Sequence, residues 1–176
     1  MPLVFKGRSS MLDTSKWREK KGIIYLTVTS DGTTGKEWIR RLEDKGFHLD
    51  YYVESALRFP DFIPTNGVTT EVAVLKDSLF SDKKRDIKEI HTEAKRRNLV
   101  TPNAEIACLI REKFSGKEID AMGLLWIITM HEPLKSYYCG IPCLLSVGST
   151  PWIRATSGNY IGTWPIETGF AFAVNN

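Results

Sequence analysis

The chain has 176 residues, of which 42% are hydrophobic and 26% are charged, and these values exclude a disordered or fibrous protein. No stretch approaches the roughly 18 apolar residues that a membrane span needs, and no secretion signal is visible at the start. The three cysteines are an odd number, as expected for reduced thiols. We therefore expect a cytoplasmic protein with no membrane contact. The net charge of +3 is too small to indicate a polyanionic partner.

The first half of the chain is predicted to alternate strands and helices, after an N-terminal arm over residues 1–22 that we expect to be loosely ordered. Thr34 and Glu37 have the spacing of a capping box, in which each residue satisfies a backbone N–H of the other, so a helix should begin there. The predicted elements are a strand over 23–29, helices over 34–45 and 50–58, and a strand over 68–75.

The middle of the chain is predicted to be helical and its end to be strands. Helices are expected from Ser81 or Asp82 to Arg97, from Thr101-Pro102 to about Phe114, and from the capping box at Ser115 to Gly123. Short apolar runs separated by turn residues predict strands over 124–130, 143–147, 152–156 and 170–174.

This order of elements favours an α+β fold in a single domain, residues 1–176. We expect an antiparallel sheet formed largely by the C-terminal strands as a meander, with the helices from the middle of the chain packed on one face.

A segment resembling a phosphate-binding loop follows the first strand, at residues 30–37. A phosphate loop needs glycine where Ser30 stands and a hydroxyl where Glu37 stands. Glu37 would repel phosphate, whereas its spacing from Thr34 explains it as a capping residue. We therefore predict an ordinary turn and a capped helix.

One alternative function is a small hydrolase or metal-dependent enzyme centred on His131. His131-Glu132 follows a predicted strand, but Pro133 prevents the helical metal motif, and partners such as His91 or a cysteine would have to come from elsewhere. Cys139 and Cys143 form a C-x3-C pair without a second pair at ligand spacing. The sequence predicts no metal and no cofactor, and it assigns no catalytic residue.

A second alternative is nucleic-acid binding through the helix over 82–97. This helix carries seven basic side chains, but acidic residues at three- and four-residue spacing interleave with them. Mixed charges at that spacing are typical of a solvated face with intrahelical ion pairs, so nucleic acid is not the favoured partner.

The leading prediction is a non-catalytic binding domain that uses its C-terminal surface. Between Ser136 and Asn176 only Arg154 and Glu167 are charged, although the segment is rich in Trp, Tyr and Phe. Rigid rings on an uncharged surface are typical of recognition sites for a protein or a small ligand. The candidate binding residues are Trp152, Arg154, Tyr160 and Trp164.

Several segments resemble a family of uncharacterised bacterial proteins. The resemblance covers most of the chain, and it implies a recurring domain and no particular activity. The segments are residues 34–39, 103–114, 118–123, 130–133 and 169–174.

Overall fold

A computed structural model describes residues 16–81, 85–137 and 140–176. It confirms the α+β class. The strands in these residues are β1 (Trp17–Lys20), β2 (Ile23–Asp31), β3 (His48–Leu49), β4 (Asn66–Lys76), β5 (Leu99–Val100), β6 (Trp126–Thr129), β7 (Cys143–Gly148), β8 (Trp152–Ser157) and β9 (Thr168–Val174). The α-helices in these residues are α1 (Gly35–Asp44), α2 (Tyr51–Arg58), α3 (Ile87–Arg96), α4 (Glu105–Lys113) and α5 (Gly116–Ala121).

The described strands form one mostly antiparallel sheet, in the order β1-β2-β4-β9-β6-β7-β8-β3, with β5 paired to β9. Strands β6, β7 and β8 form the predicted meander. The last strand differs from the prediction, because β9 lies between β4 and β6 and runs parallel to β6. Six of its seven residues are buried, which suits a central strand covered on both faces. β9 therefore joins the two halves of the chain into one sheet.

The N-terminal half of the chain supplies the other side of the sheet through β1, β2 and β4. Strand β1 lies in the segment predicted as a loosely ordered arm, and its residues pair with β2 from Trp17 to Lys20. A turn at Lys21 and Gly22 joins the two strands, and both residues have positive φ, as tight hairpin turns require. Residues 1–15 of the predicted arm lie outside the described residues.

The two faces of the sheet carry separate hydrophobic cores. On β4, Val72 and Val74 point to a core shared with α1, α2, α4 and α5, and we call this side the inner face. Ala73 and Leu75 point the other way, as the period of a strand requires, to a core that includes residues of α3. We call this side the outer face. The predicted packing of helices from the middle of the chain on one face therefore holds for α4 and α5, while α3 covers part of the opposite face.

Helix starts follow the capping residues. Both predicted capping boxes form, at Thr34 with Glu37 and at Ser115 with Glu118. Helix α3 begins later than predicted, at Ile87, because the Asp86 side chain accepts the backbone N–H of Glu89. The predicted cap Asp82 lies outside the described residues.

Helix α4 also begins later than the predicted Thr101-Pro102 start. The Asn103 side chain accepts the backbone N–H of Glu105, where the helix begins. A side chain that takes up the first backbone donors sets the position at which the helix starts.

Candidate functional site

Four partly or fully exposed side chains lie together on the outer face, over β6, β7, β8 and β3. Trp126 and Trp152 are partly exposed, and Arg154 and His48 are exposed. Together with Gly148, which lies between the two tryptophans, we call them the aromatic platform. It combines two indole rings, one cation and an imidazole on neighbouring strands.

The strand register places these residues in one row. Trp126 of β6 is opposite Gly148 of β7. Val147 is opposite Ile153, so Trp152 of β8 comes level with Gly148 on its other side. His48 of β3 is opposite Trp152, and the two rings lie 5.0 Å apart between centroids. Residues opposite each other in a sheet project from the same face, so the row extends across four strands.

Gly148 allows the Trp126 ring to lie across the neighbouring strand. A Cβ atom at position 148 would lie 2.8 Å from the ring carbons Cε3 and Cζ3 of Trp126, and 3.0 Å from the Leu125 carbonyl oxygen. The two ring distances are shorter than real contacts of a Cβ atom, so a side chain at position 148 would force the indole to shift. Glycine inside a strand often marks such a close approach.

Arg154 supplies the positive charge of the platform. Its guanidinium carbon lies 5.0 Å from the ring centroid of Trp152 and 5.8 Å from that of Trp126, within the range of cation–π attraction. Among the described residues, no carboxylate is within ion-pair distance of this side chain. The N–H donors of Arg154 are therefore available to an anion from solution.

Hydrogen bonds from a helix on the inner face hold the turn between β7 and β8 in place. The fully buried Arg111 of α4 donates to the carbonyl oxygens of Gly148 and Thr150, at 2.7 and 2.9 Å, and to that of Phe114 at 2.6 Å. Burial lowers the pKa of Arg111 to about 10, which still leaves it charged at neutral pH. The strands that carry Gly148 and Trp152 are thus fixed to a helix, and a site on such rigid elements is preorganised.

The other two predicted binding residues form a separate pair. The rings of Tyr160 and Trp164 stack with centroids 4.4 Å apart, and Trp164 packs against Phe170 of β9. Trp164 is only 5% exposed, contrary to the expectation that its ring faces water, and its backbone carbonyl accepts from the Arg85 side chain. Tyr160 is 38% exposed and lines an open cleft of about 690 Å³. Trp164 is therefore a core residue of the outer face.

The structure brings together two of the four predicted residues, Trp152 and Arg154, and adds two that sequence reasoning missed. Trp126 lies in an apolar run that reads as a buried strand, and His48 reads as a turn residue. The sequence does contain one indication of this site. Gly148 lies at the end of a predicted strand, where a glycine leaves room for an aromatic ring from the neighbouring strand. The pairing of Trp126 and His48 with these strands becomes visible only in the fold.

His131 does not have the geometry of a catalytic or metal-binding histidine. Its Nδ1–H donates to the Glu132 backbone carbonyl at 2.7 Å, and its Nε2 accepts the Leu145 backbone N–H at 3.0 Å. Burial lowers the pKa of His131 to about 4, so the imidazole is neutral at physiological pH. Both ring nitrogens are engaged by backbone groups, and the side chain joins β6 to β7.

The cysteines offer no support for a redox or metal site. Burial raises the pKa of the Cys108 thiol, which keeps it protonated and unreactive. Cys143 is also buried, and Cys139 lies outside the described residues. The described part of the chain holds no group of three or more His, Cys, Asp or Glu side chains placed to bind a metal ion.

Helix α3 pairs part of its basic charge internally. Glu93 Oε1 lies 2.7 Å from Arg96 Nη2 and 2.6 Å from Arg97 Nε. This arrangement matches the predicted intrahelical pairs and disfavours the helix as a nucleic-acid surface. Residues 82–84 of the predicted helix lie outside the described residues.

The segment that resembled a phosphate loop is closed by its own side chains. Glu37 accepts the backbone N–H of Thr34 at 2.8 Å, and Thr33 donates its backbone N–H to Asp31. A carboxylate therefore occupies the start of α1, as the capping interpretation predicted, and the site is unsuited to a phosphate.

No helix in the described ranges has the length and apolar character to cross a membrane. Comparison with known proteins finds no family model, curated protein or solved structure that matches the chain. The resemblance to uncharacterised bacterial proteins therefore stays a prediction.

Proposed function

We propose that this protein is a non-catalytic binding protein that recognises its ligand through the aromatic platform. The observation that carries the proposal is the Arg154 guanidinium, which is exposed, has no carboxylate partner among the described residues and lies within cation–π distance of two indoles. Tryptophan and arginine are the residues that most often dominate binding energy at recognition sites.

Rigidity supports this proposal. The platform is built on paired strands, and Arg111 fixes the turn that joins two of them. A ligand that binds such a surface does not have to order a flexible loop, so less of its interaction energy is lost. His131, the candidate for a catalytic residue, has both of its ring nitrogens in hydrogen bonds with backbone groups.

The proposal is tested by NMR on the five tryptophan side chains. The indole N–H signals are assigned by single Trp→Phe substitutions, and a panel of neutral aromatics, aromatic anions, saccharides and short peptides is then titrated. We expect a binding compound to shift the signals of Trp126 and Trp152 and to leave those of the buried Trp38 and Trp164 unchanged. A panel that moves only other signals, or none, would contradict the proposal.

We also propose a cytoplasmic location. Its support is the odd number of cysteines together with Cys108, which is a buried thiol outside any disulfide. Determination of the thiol content of protein isolated from its native cells tests this, because a cytoplasmic protein should carry three reduced thiols.

A further inference from the structure

We propose that the ligand of the aromatic platform is a small molecule with a planar aromatic ring that carries one anionic group, a phosphate or a carboxylate. This inference rests on the proposed function and adds the chemical class of the ligand. It follows from the juxtaposition of Arg154 with the indoles of Trp126 and Trp152.

The anionic group is inferred from the charge of the platform. Arg154 is its one permanent cation, and the side chain has no acidic partner among the described residues. Guanidinium presents N–H donors in a plane that matches the two oxygens of a carboxylate or phosphate. The side chain is exposed and lies over the indoles without a carboxylate partner among the described residues, so its N–H groups can bind such an anion.

The aromatic ring is inferred from the flat surface beside this cation. The Trp126 ring lies across Gly148, and Trp152 follows on the far side of the same glycine. Because Gly148 has no side chain, β7 places no side chain against the Trp126 ring, and the Arg154 guanidinium of β8 lies over both indoles. A planar ring that stacks on the indole surface beside Arg154 brings its anionic group within reach of the guanidinium, and base-on-aromatic stacking contributes about 1–3 kcal/mol in known sites.

We infer a single anionic group on the ligand because few charged side chains lie near the platform. Between Ser136 and Asn176 the only other charged side chain is Glu167, and strand β6 has none. A nucleic-acid strand needs a series of basic side chains along its backbone. The surface offers a single cation, so a mononucleotide-sized anion fits it and a polynucleotide does not.

Calorimetric titration of the full chain with matched compounds tests this inference. Adenosine monophosphate is compared with adenosine, and 1-naphthoate with 1-naphthamide, while inorganic phosphate serves as the ring-free anion. We expect at least one anion to bind about tenfold more tightly than its neutral counterpart, and phosphate alone to give no measurable binding. The pair that shows the difference identifies the ligand as a phosphate or a carboxylate.

Substitutions then test whether the difference in affinity between the anion and its neutral counterpart depends on the platform. Arg154→Gln should remove the preference for the anion, whereas Arg40→Gln, at an exposed arginine of α1 on the inner side, should leave it intact. Trp152→Ala should weaken both members of the pair, and Trp17→Ala, at another partly exposed tryptophan, should weaken neither. Arg154→Lys should retain part of the preference, because it keeps the charge without the planar donor group.

Three results would overturn the inference. They are equal binding, or no binding, of the anion and neutral compound in both pairs; a preference that survives Arg154→Gln; and an oligonucleotide that binds far more tightly than adenosine monophosphate with a steep salt dependence. If one of these three results is obtained while compounds of the panel still shift the Trp126 and Trp152 signals, the inference fails and the proposed binding function stands. If no compound shifts them, both fail.

Discussion

Two groups of aromatic rings lie on the outer face, and they differ in what surrounds them. Trp164 is stacked on Tyr160, packed against Phe170 and almost completely buried. Trp126 and Trp152 keep exposed ring surface beside the cation Arg154. Trp152, Arg154, Tyr160 and Trp164 come from the same charge-poor segment, and its composition alone assigns them a common role. The structure instead separates a packing group from a candidate recognition group.

The comparison shows that the packing around an aromatic ring determines whether the ring stabilises the core or remains exposed to a ligand. The segment with Trp164 is held against the chain before α3 by hydrogen bonds in both directions between Trp164 and Arg85. The platform is held from the opposite side, through Arg111, so its rings are supported and still exposed. A binding surface requires side chains that are exposed to the ligand and held in place by the structure beneath them.

The largest expected effect is a loss of stability in Trp164→Ala. Removing a buried indole leaves a cavity in the hydrophobic core of the outer face, so the free energy of unfolding should fall by about 3–5 kcal/mol. Trp152→Ala removes a partly exposed ring and should cost about 1 kcal/mol. Urea denaturation followed by far-UV circular dichroism measures both values. Equal losses for the two variants would erase the distinction between the groups.

The next effect concerns His131, which belongs to the buried part of the sheet. Its pKa falls from 6.5 to about 4 on folding, so the folded state favours the neutral ring. The resulting stabilisation is complete above pH 6.5, decreases as the pH falls from 6.5 toward 4, and is lost below that. The total loss is about 3 kcal/mol.

Urea denaturation between pH 7 and pH 4 measures this effect in the unmodified chain and in His131→Gln. The variant has no imidazole to protonate, so its free energy of unfolding should decline less steeply over this range. Curves of equal slope would show that His131 is not the buried neutral group described above.

A smaller effect is expected for Gly148→Ala. The added methyl group would collide with the Trp126 ring, and such overpacking costs about 1–3 kcal/mol. Much of this cost should disappear when Trp126 is already alanine, which a double-mutant cycle measures. An unchanged cost in that background would place the strain at the Leu125 carbonyl instead of the ring.

Most of the local structure could be predicted from the sequence, because short-range chemistry determines it. The capping boxes at Thr34 and Ser115 depend on residues three positions apart, and the strands at residues 23–29 and 152–156 are indicated by short runs of residues that favour strands. The position of β9 depends on pairing between distant segments, and no local pattern shows that it lies between β4 and β6.

The candidate site was predictable only in part for the same reason. Trp152 and Arg154 stand out because they lie in a charge-poor segment that is rich in aromatic residues. Trp126 belongs to the platform because it is opposite Gly148 in the sheet, and His48 because β3 pairs with β8. Trp164 was predicted as a binding residue but is buried, because Phe170 and Tyr160 pack against it and the composition of the segment does not show these contacts.

The most direct test of the central claim is the solvent accessibility of the individual tryptophan rings. Ring-proton NMR signals are recorded with increasing amounts of a neutral gadolinium chelate, which broadens only protons that solvent can approach. The account predicts strong broadening for Trp126 and Trp152 and little for Trp38 and Trp164. Similar broadening of all four, or stronger broadening of Trp164 than of Trp152, would contradict it.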